Sequence, residues 1–175
     1  MYKIAEYYQQ PLKWVQPKML TEAYELRSDD KLIATLAFRG IAGTFATAES
    51  GDGSWTFKRV GFWQSKATIR ASGSDKDLAV FKNNTWTSGG TLLFENGNSY
   101  KATTNFWMTN YEFQKDSGEA LVRYKYAGIF HLSSEVEILP EARGFSELPV
   151  LVMFGWYLAV MLYMDSSSAA VVAVM

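Results

Sequence analysis

The stretch LPVLVMFGWYLAVML, residues 148–162, is fifteen residues without a charge or a side-chain amide. Its reading decides the fold. A helix that is apolar on every side is buried in protein or in lipid. The start reads as a helix start: Ser146 is a candidate N-cap, Glu147 suits the positive end of the helix dipole, and Pro149 is tolerated in the first turn. The run Asp165-Ser166-Ser167-Ser168 reads as the stop, which predicts a helix over about residues 147–164. From 148 to 164 that is 17 residues, or about 25 Å at about 1.5 Å per residue. A bilayer span needs about 20 residues, so the length is marginal. Arg143 is the only cation close upstream and no basic residue follows, so the usual interfacial anchors are poor.

The chain before this stretch supplies the other half of the argument. Residues 12–139 read as short alternating runs broken by turn residues. Residues 24–27, 32–38, 44–48, 54–60, 66–71, 78–81, 91–95, 99–104, 111–114, 121–126 and 134–139 are the strand candidates. Residues 66–71 alternate strictly, with Ala67, Ile69 and Ala71 on one face and Lys66, Thr68 and Arg70 on the other. Turns are marked by Ser28-Asp29-Asp30, Ser50-Gly51-Asp52-Gly53, Ser72-Gly73-Ser74-Asp75, Asn96-Gly97-Asn98 and Lys115-Asp116-Ser117-Gly118. The pattern predicts a mainly β fold of roughly twelve short strands in one domain over 1–175, mostly antiparallel because hairpins join neighbours. About eight strands close a barrel that its own side chains fill, and more strands leave a hollow. One all-apolar rod and one hollow barrel need each other, as in strand cans with a central helix. The expected architecture is therefore an antiparallel barrel closed around the C-terminal helix. Gly155 and Ala159, four apart on one helix face, would let a wall side chain approach closely. The alternative is a tail-anchored protein with residues 148–164 as the span and the strands as a cytosolic domain.

Three segments together resemble an uncharacterised bacterial family of the tubby-like C-terminal superfamily: SWTFKRVGFWQSKATIRA (54–71), TNFWMTNYEF (104–113) and the apolar stretch itself. Phospholipid scramblases and the plant LURP-one-related proteins are relatives in that superfamily. The resemblance covers about residues 24–164. It implies a twelve-stranded barrel around a hydrophobic C-terminal helix, and tubby proteins bind phosphoinositides through basic residues of the barrel. No basic residue of this chain is matched to theirs position by position. The seven residues 169–175, AAVVAVM, lie beyond the expected end of the helix, where an extra strand or a second contact with the barrel is expected.

Composition narrows the chemistry. The 175 residues are 48% hydrophobic and 15% aromatic, with a net charge of -1, so no nucleic-acid partner is expected. Cysteine is absent, which removes disulfides, thiolate metal sites and cysteine nucleophiles and suits a reducing compartment. The N-terminal MYKIAEYYQQPLKW has no long apolar run, so a cytoplasmic monomer is expected, at most peripheral to a membrane. The sequon Asn83-Asn84-Thr85 reads as chance in that setting. His131 is the single histidine and reads as a locally bonded loop residue; no metal and no cofactor are expected. Residues 144–147 lack the second glycine of a nucleophile elbow, and Ser88-Gly89-Gly90 lacks the lysine of a phosphate loop. Asp29-Asp30 reads as a solvated turn, so no enzymatic activity is expected. One charge feature stands out. Residues 54–82 hold Lys58, Arg59, Lys66, Arg70, Lys76 and Lys82 against Asp75 and Asp77, a net of +4, interleaved with Trp55, Phe62 and Trp63. Lys58, Arg59, Lys66 and Arg70 are the candidate lipid- or anion-binding residues, with anionic phospholipid headgroups as the partner. The plainer reading is a soluble outer face whose cations block edge pairing.

Overall fold

The computed structural model describes residues 1–18, 21–40, 43–60, 66–84, 89–105, 110–127 and 133–172. Twelve strands run in chain order: β1 (Leu12–Val15), β2 (Ala23–Ser28), β3 (Lys31–Phe38), β4 (Phe45–Ser50), β5 (Gly53–Val60) and β6 (Lys66–Ala71). They continue as β7 (Ala79–Asn83), β8 (Gly90–Phe94), β9 (Ser99–Thr104), β10 (Asn110–Gln114), β11 (Ala120–Ala127) and β12 (Ser133–Ile138). Each strand pairs antiparallel with its sequence neighbours, and β1 pairs with β12 through Leu12↔Val136 and Trp14↔Ser134. The sheet is thus a closed up-and-down barrel with no free edge. One helix, α1 (Leu148–Val172), follows.

The predicted turns fall where expected. Ser50 pairs with Gly53, so Gly51-Asp52 form a two-residue hairpin loop. Gly97 takes φ 90° between β8 and β9, a conformation that a side chain would resist. Within 66–71, Ala67 and Ile69 are buried and Lys66 is exposed, as predicted, whereas Ala71, at the last position of β6, is exposed rather than buried with them. β1 is the strand that the sequence did not resolve individually; at four residues it is too short for a periodic signal.

The expected barrel filling is found. Every residue of 148–161 is buried, and both Trp156 and Tyr157 are at 0% exposure. Small inward residues, among them Ala34, Ala46, Ala48, Ala67 and Ala79, leave room in the wall for the helix's large side chains. Trp156 stacks on Trp14 of β1 at 5.7 Å between ring centroids, and Tyr157 stacks on Phe38 of β3 at 5.5 Å. Phe154 meets Phe57 and Phe81 edge-on at 5.4 and 5.6 Å. The wall side chain facing Gly155 is Tyr124 of β11. Its hydroxyl donates to the backbone carbonyls of Leu151 (2.8 Å) and Val152 (2.9 Å), and a Cβ at position 155 would overlap the hydroxyl and ring.

Three expectations need correcting. The helix does not stop at Asp165 but continues through Val172. Asp and Ser each cost only a few tenths of a kcal/mol in a helix, and neither Gly nor Pro is present to end it. Arg59 also grips Asp165 with two hydrogen bonds, of 3.0 and 2.7 Å. Residues 169–172 are therefore helical rather than an added strand, and 173–175 lie outside the described residues. Ser146 is not a backbone cap; its hydroxyl donates to the Glu147 carboxylate at 2.9 Å. The N-terminus, read only as lacking a signal, has a structural role. A 3-10 turn at Ile4–Tyr7 buries Ile4 and Tyr7. It is tied to the β4–β5 turn by Gly51 N–H to the Tyr2 carbonyl (2.9 Å) and Ile4 N–H to the Asp52 carboxylate (2.7 Å).

Gly155→Ala tests the central contact by sign. Helix propensity alone would stabilise the variant by about 1 kcal/mol. Displacing Tyr124 and losing its hydrogen bonds outweighs that, so a net destabilisation of about 1–3 kcal/mol is expected in urea unfolding. A stabilised Gly155→Ala would show that Tyr124 does not need the glycine.

Candidate lipid-headgroup surface

The basic segment spans β5, β6 and β7, and the register sorts its cations. Lys58 and Lys66 both point outward and are exposed. Lys66 pairs directly with Lys82 of β7, and Lys58 pairs with Thr68, which places it diagonally from Lys66. Among the described residues, none of these three lysines has an acidic partner within ion-pair distance. Lys82, counted in the segment but not singled out from sequence, therefore belongs to the patch.

The two arginines are otherwise engaged. Arg59 shares the inward parity of Trp55 and Phe57, and its side chain is only 13% exposed. At the end of β5 it holds the outgoing helix through Asp165. Arg70 does face outward, but its Nε donates to Asp77 at 2.6 Å. Lys76 pairs with Glu95. Of the aromatics interleaved with these cations in sequence, Trp55 points into the barrel at 8% exposure, and Phe62 and Trp63 lie outside the described residues. The same holds for His131, Thr85 of the sequon and Ser88.

A second polar feature lies where the helix begins. Glu147 is 7% exposed and directly precedes the first helical residue. Its carboxylate accepts from Asn96 Nδ2 (2.7 Å), Asn98 Nδ2 (2.6 Å) and Ser146 Oγ (2.9 Å). Clefts of about 470 and 580 Å³ flank it, the first against Trp55 and Phe94, the second against Tyr100 and Lys115. Burial raises the Glu147 pKa, but the three side-chain hydrogen bonds outweigh it and hold the group below its ordinary value of 4.5. The neighbouring Tyr100 hydroxyl is pushed up to about 12 by burial and by the Glu147 carboxylate. A general base would be tuned toward neutrality, whereas Glu147 is moved away from it and its lone pairs are taken. The arrangement acts as a clamp that joins the β8–β9 hairpin to the helix start. Sequence reasoning saw Asn96-Gly97-Asn98 as a turn and Glu147 as a dipole partner. Their meeting, some fifty positions apart, left no local signal. Among the described residues no group of three or more His, Asp or Glu could hold a metal ion. Asp29-Asp30 form the β2–β3 turn, with Asp29 at φ 50° and the Asp30 carbonyl bonded by Arg27.

The fold thus defines a class: a closed twelve-stranded antiparallel barrel built around an apolar C-terminal helix. Comparison with protein-family models, with curated proteins and with solved structures finds no match.

The clamp makes stability pH-dependent with a defined sign. A carboxylate whose folded pKa is depressed contributes stability that is present above its unfolded pKa and lost as pH falls through the folded one. Glu147→Gln is expected to lower stability at neutral pH by about 1–3 kcal/mol, the worth of hydrogen bonds to a charged group. The gap to wild type should close as pH drops below the carboxylate range. Chemical unfolding of both proteins at pH 7 and pH 3 checks this; a gap that persists at pH 3 removes the ionic clamp.

Proposed function

We propose that this protein is a non-enzymatic tubby-like barrel that works at a membrane surface, taking anionic phospholipid headgroups on Lys58, Lys66 and Lys82. The observation that carries the reading is the Lys66–Lys82 pair. Like charges directly opposite in a sheet destabilise it. The plainer explanation, cations that block edge pairing, loses its force in a barrel with no edge. A cationic face kept without acidic partners suits an anionic surface, where each lysine contributes about 1 kcal/mol. The resemblance to tubby-like proteins supports the same reading, as does the saturated state of Glu147, which offers no catalytic base. The proposed setting is a cytoplasmic monomer, peripheral to the membrane, with no cofactor.

A second reading keeps one observation. The window Leu148–Asp165 is long and apolar enough to cross a bilayer. That window is also 78% buried inside the barrel, and withdrawing it would empty a lumen lined by Trp14, Phe57 and Tyr124. Deleting residues 148–175 separates the two readings: a tail-anchored protein keeps a folded, soluble domain, while a helix-filled barrel loses cooperative unfolding.

Co-sedimentation with phosphatidylserine-containing vesicles tests the headgroup reading. Binding is expected to weaken with salt and to fall at least tenfold in Lys66→Glu/Lys82→Glu, on about 1 kcal/mol per lysine lost. The single variant Lys82→Glu should bind more weakly while gaining a few tenths of a kcal/mol in stability, because it turns a repulsive cross-strand pair into an attractive one. Equal sedimentation of wild type and the double variant would remove the lysines from the interaction.

A further inference from the structure

The outer wall of the barrel has two chemically different sides. Residues paired across strands share a face, so the register lines up outward side chains in rows around the barrel. One row runs from β5 to β9 as Val60, Lys66, Lys82, Thr91 and Lys101. The row beside it runs as Lys58, Thr68, Val80, Leu93 and Ser99. The two rows hold four lysines and no acid. The rest of the wall, from β10 through β12 to β1 and β2, is built differently. Its outward Glu25 is held by Arg27, and Glu112 and Glu137 by Arg123. Lys13 and Lys125 flank Glu135 in register. Opposite charges alternate there, and on β5–β9 they do not.

Two residues extend the cationic side beyond the three lysines already described. Lys101 lies outside the basic segment in sequence and joins it only through register. Its contacts are long, 3.6 Å to the Asp116 carboxylate and 3.4 Å to the Asp116 carbonyl, between side chains 50% and 67% exposed. An exposed pair of that kind contributes little, so Lys101 can turn to a phosphate. Leu93 supplies apolar surface. Among the described residues the exposed large apolar side chains are Met1, Tyr2, Leu93 and Tyr163, and of these only Leu93, 45% exposed, lies on the barrel wall. Its direct cross-strand partner is the half-buried Val80. This apolar pair sits one row from Lys82 and Lys101.

We propose that the barrel docks on an anionic bilayer by its side, through the outward face of β5–β9. Leu93 and Val80 face the apolar layer beneath the headgroups, and Lys58, Lys66, Lys82 and Lys101 surround them. Lysine stems are long enough to splay aside and keep their ammonium groups among the phosphates. Lys82 and Lys101 are two strands apart, about 10 Å at about 4.8 Å per strand, so the row engages several headgroups rather than one. Buried apolar area and attraction to anionic lipid add in such a contact. Resting on the headgroup reading, this docking adds to it a fourth lysine, an apolar contribution and an orientation.

Co-sedimentation with phosphatidylserine/phosphatidylcholine vesicles tests the two added residues. Leu93→Thr keeps a strand-forming side chain and every lysine, and is expected to bind about tenfold more weakly with thermal unfolding unchanged. Lys101→Gln is expected to lose about fivefold, the worth of one lysine at an anionic surface. Wild-type binding by either variant, with Lys66→Glu/Lys82→Glu still weakened, overturns the side-on docking and leaves the headgroup reading standing. Failure of the unaltered protein to co-sediment overturns both. Because the chain has no cysteine, single thiols report the orientation. Thr68→Cys on the cationic side and Lys13→Cys on the mixed side are each labelled with an environment-sensitive fluorophore and added to vesicles with brominated acyl chains. The position-68 label is expected to shift blue and to be quenched, and the position-13 label to stay unchanged. A silent position-68 label on sedimented protein overturns the orientation. So does a position-68 shift that grows with protein concentration without lipid, which assigns this wall to a second copy of the chain.

Discussion

Everything in this protein follows from the need to fill a twelve-stranded lumen. Side chains can close the middle of a barrel of about eight strands; at twelve they cannot reach one another. The filling is a helix, and a helix inside a barrel has no solvent-facing side. Hence residues 148–161 show no amphipathic stripe and no exposed residue. The wall adapts to the helix in turn. The wall carries buried alanines, and aromatic rings from β1, β3, β5 and β7 pack onto Trp156, Tyr157 and Phe154. At Gly155 the adaptation runs the other way: the helix thins so that Tyr124 can reach its backbone.

The polar groups close to the helix secure it at both ends. At the start, Glu147 is bound by the β8–β9 hairpin through Asn96 and Asn98. Where the helix leaves the barrel, Asp165 is bound by Arg59. Between these two anchors the Tyr157 hydroxyl donates to the Thr44 carbonyl, just before β4, at 2.7 Å. These anchors fix how far the helix slides along the barrel axis, which non-directional apolar packing by itself leaves loosely set. They also explain why a charged residue in a basic segment need not serve a ligand. Arg59 and Arg70 are held by intramolecular acids, whereas among the described residues Lys58, Lys66 and Lys82 have no acidic partner.

Closure changes the meaning of surface charge. On an open sheet, outward lysines protect an edge; in this barrel β1 and β12 complete the ladder and no edge needs protection. Lys58, Lys66 and Lys82 are an outward cationic patch for which edge protection is no explanation. The end where α1 begins carries the acidic turns and the N-terminal 3-10 turn.

The sequence by itself determined the strands other than β1, the tight turns, the antiparallel order and the filled barrel, because these rest on local signals: period-two alternation, Gly and Asn at turns, and an unbroken apolar run. It located the basic segment but not its geometry. Whether Arg59 points in or out depends on its parity with Phe57 and on an acid more than a hundred residues away. Register, with Lys66 set against Lys82, is a property of two strands and is written in neither alone. The helix outran its apparent stop because Arg59 neutralises the residue read as a terminator. Only the tertiary structure decided these points, since each depends on which distant groups the closing barrel brings within hydrogen-bond reach.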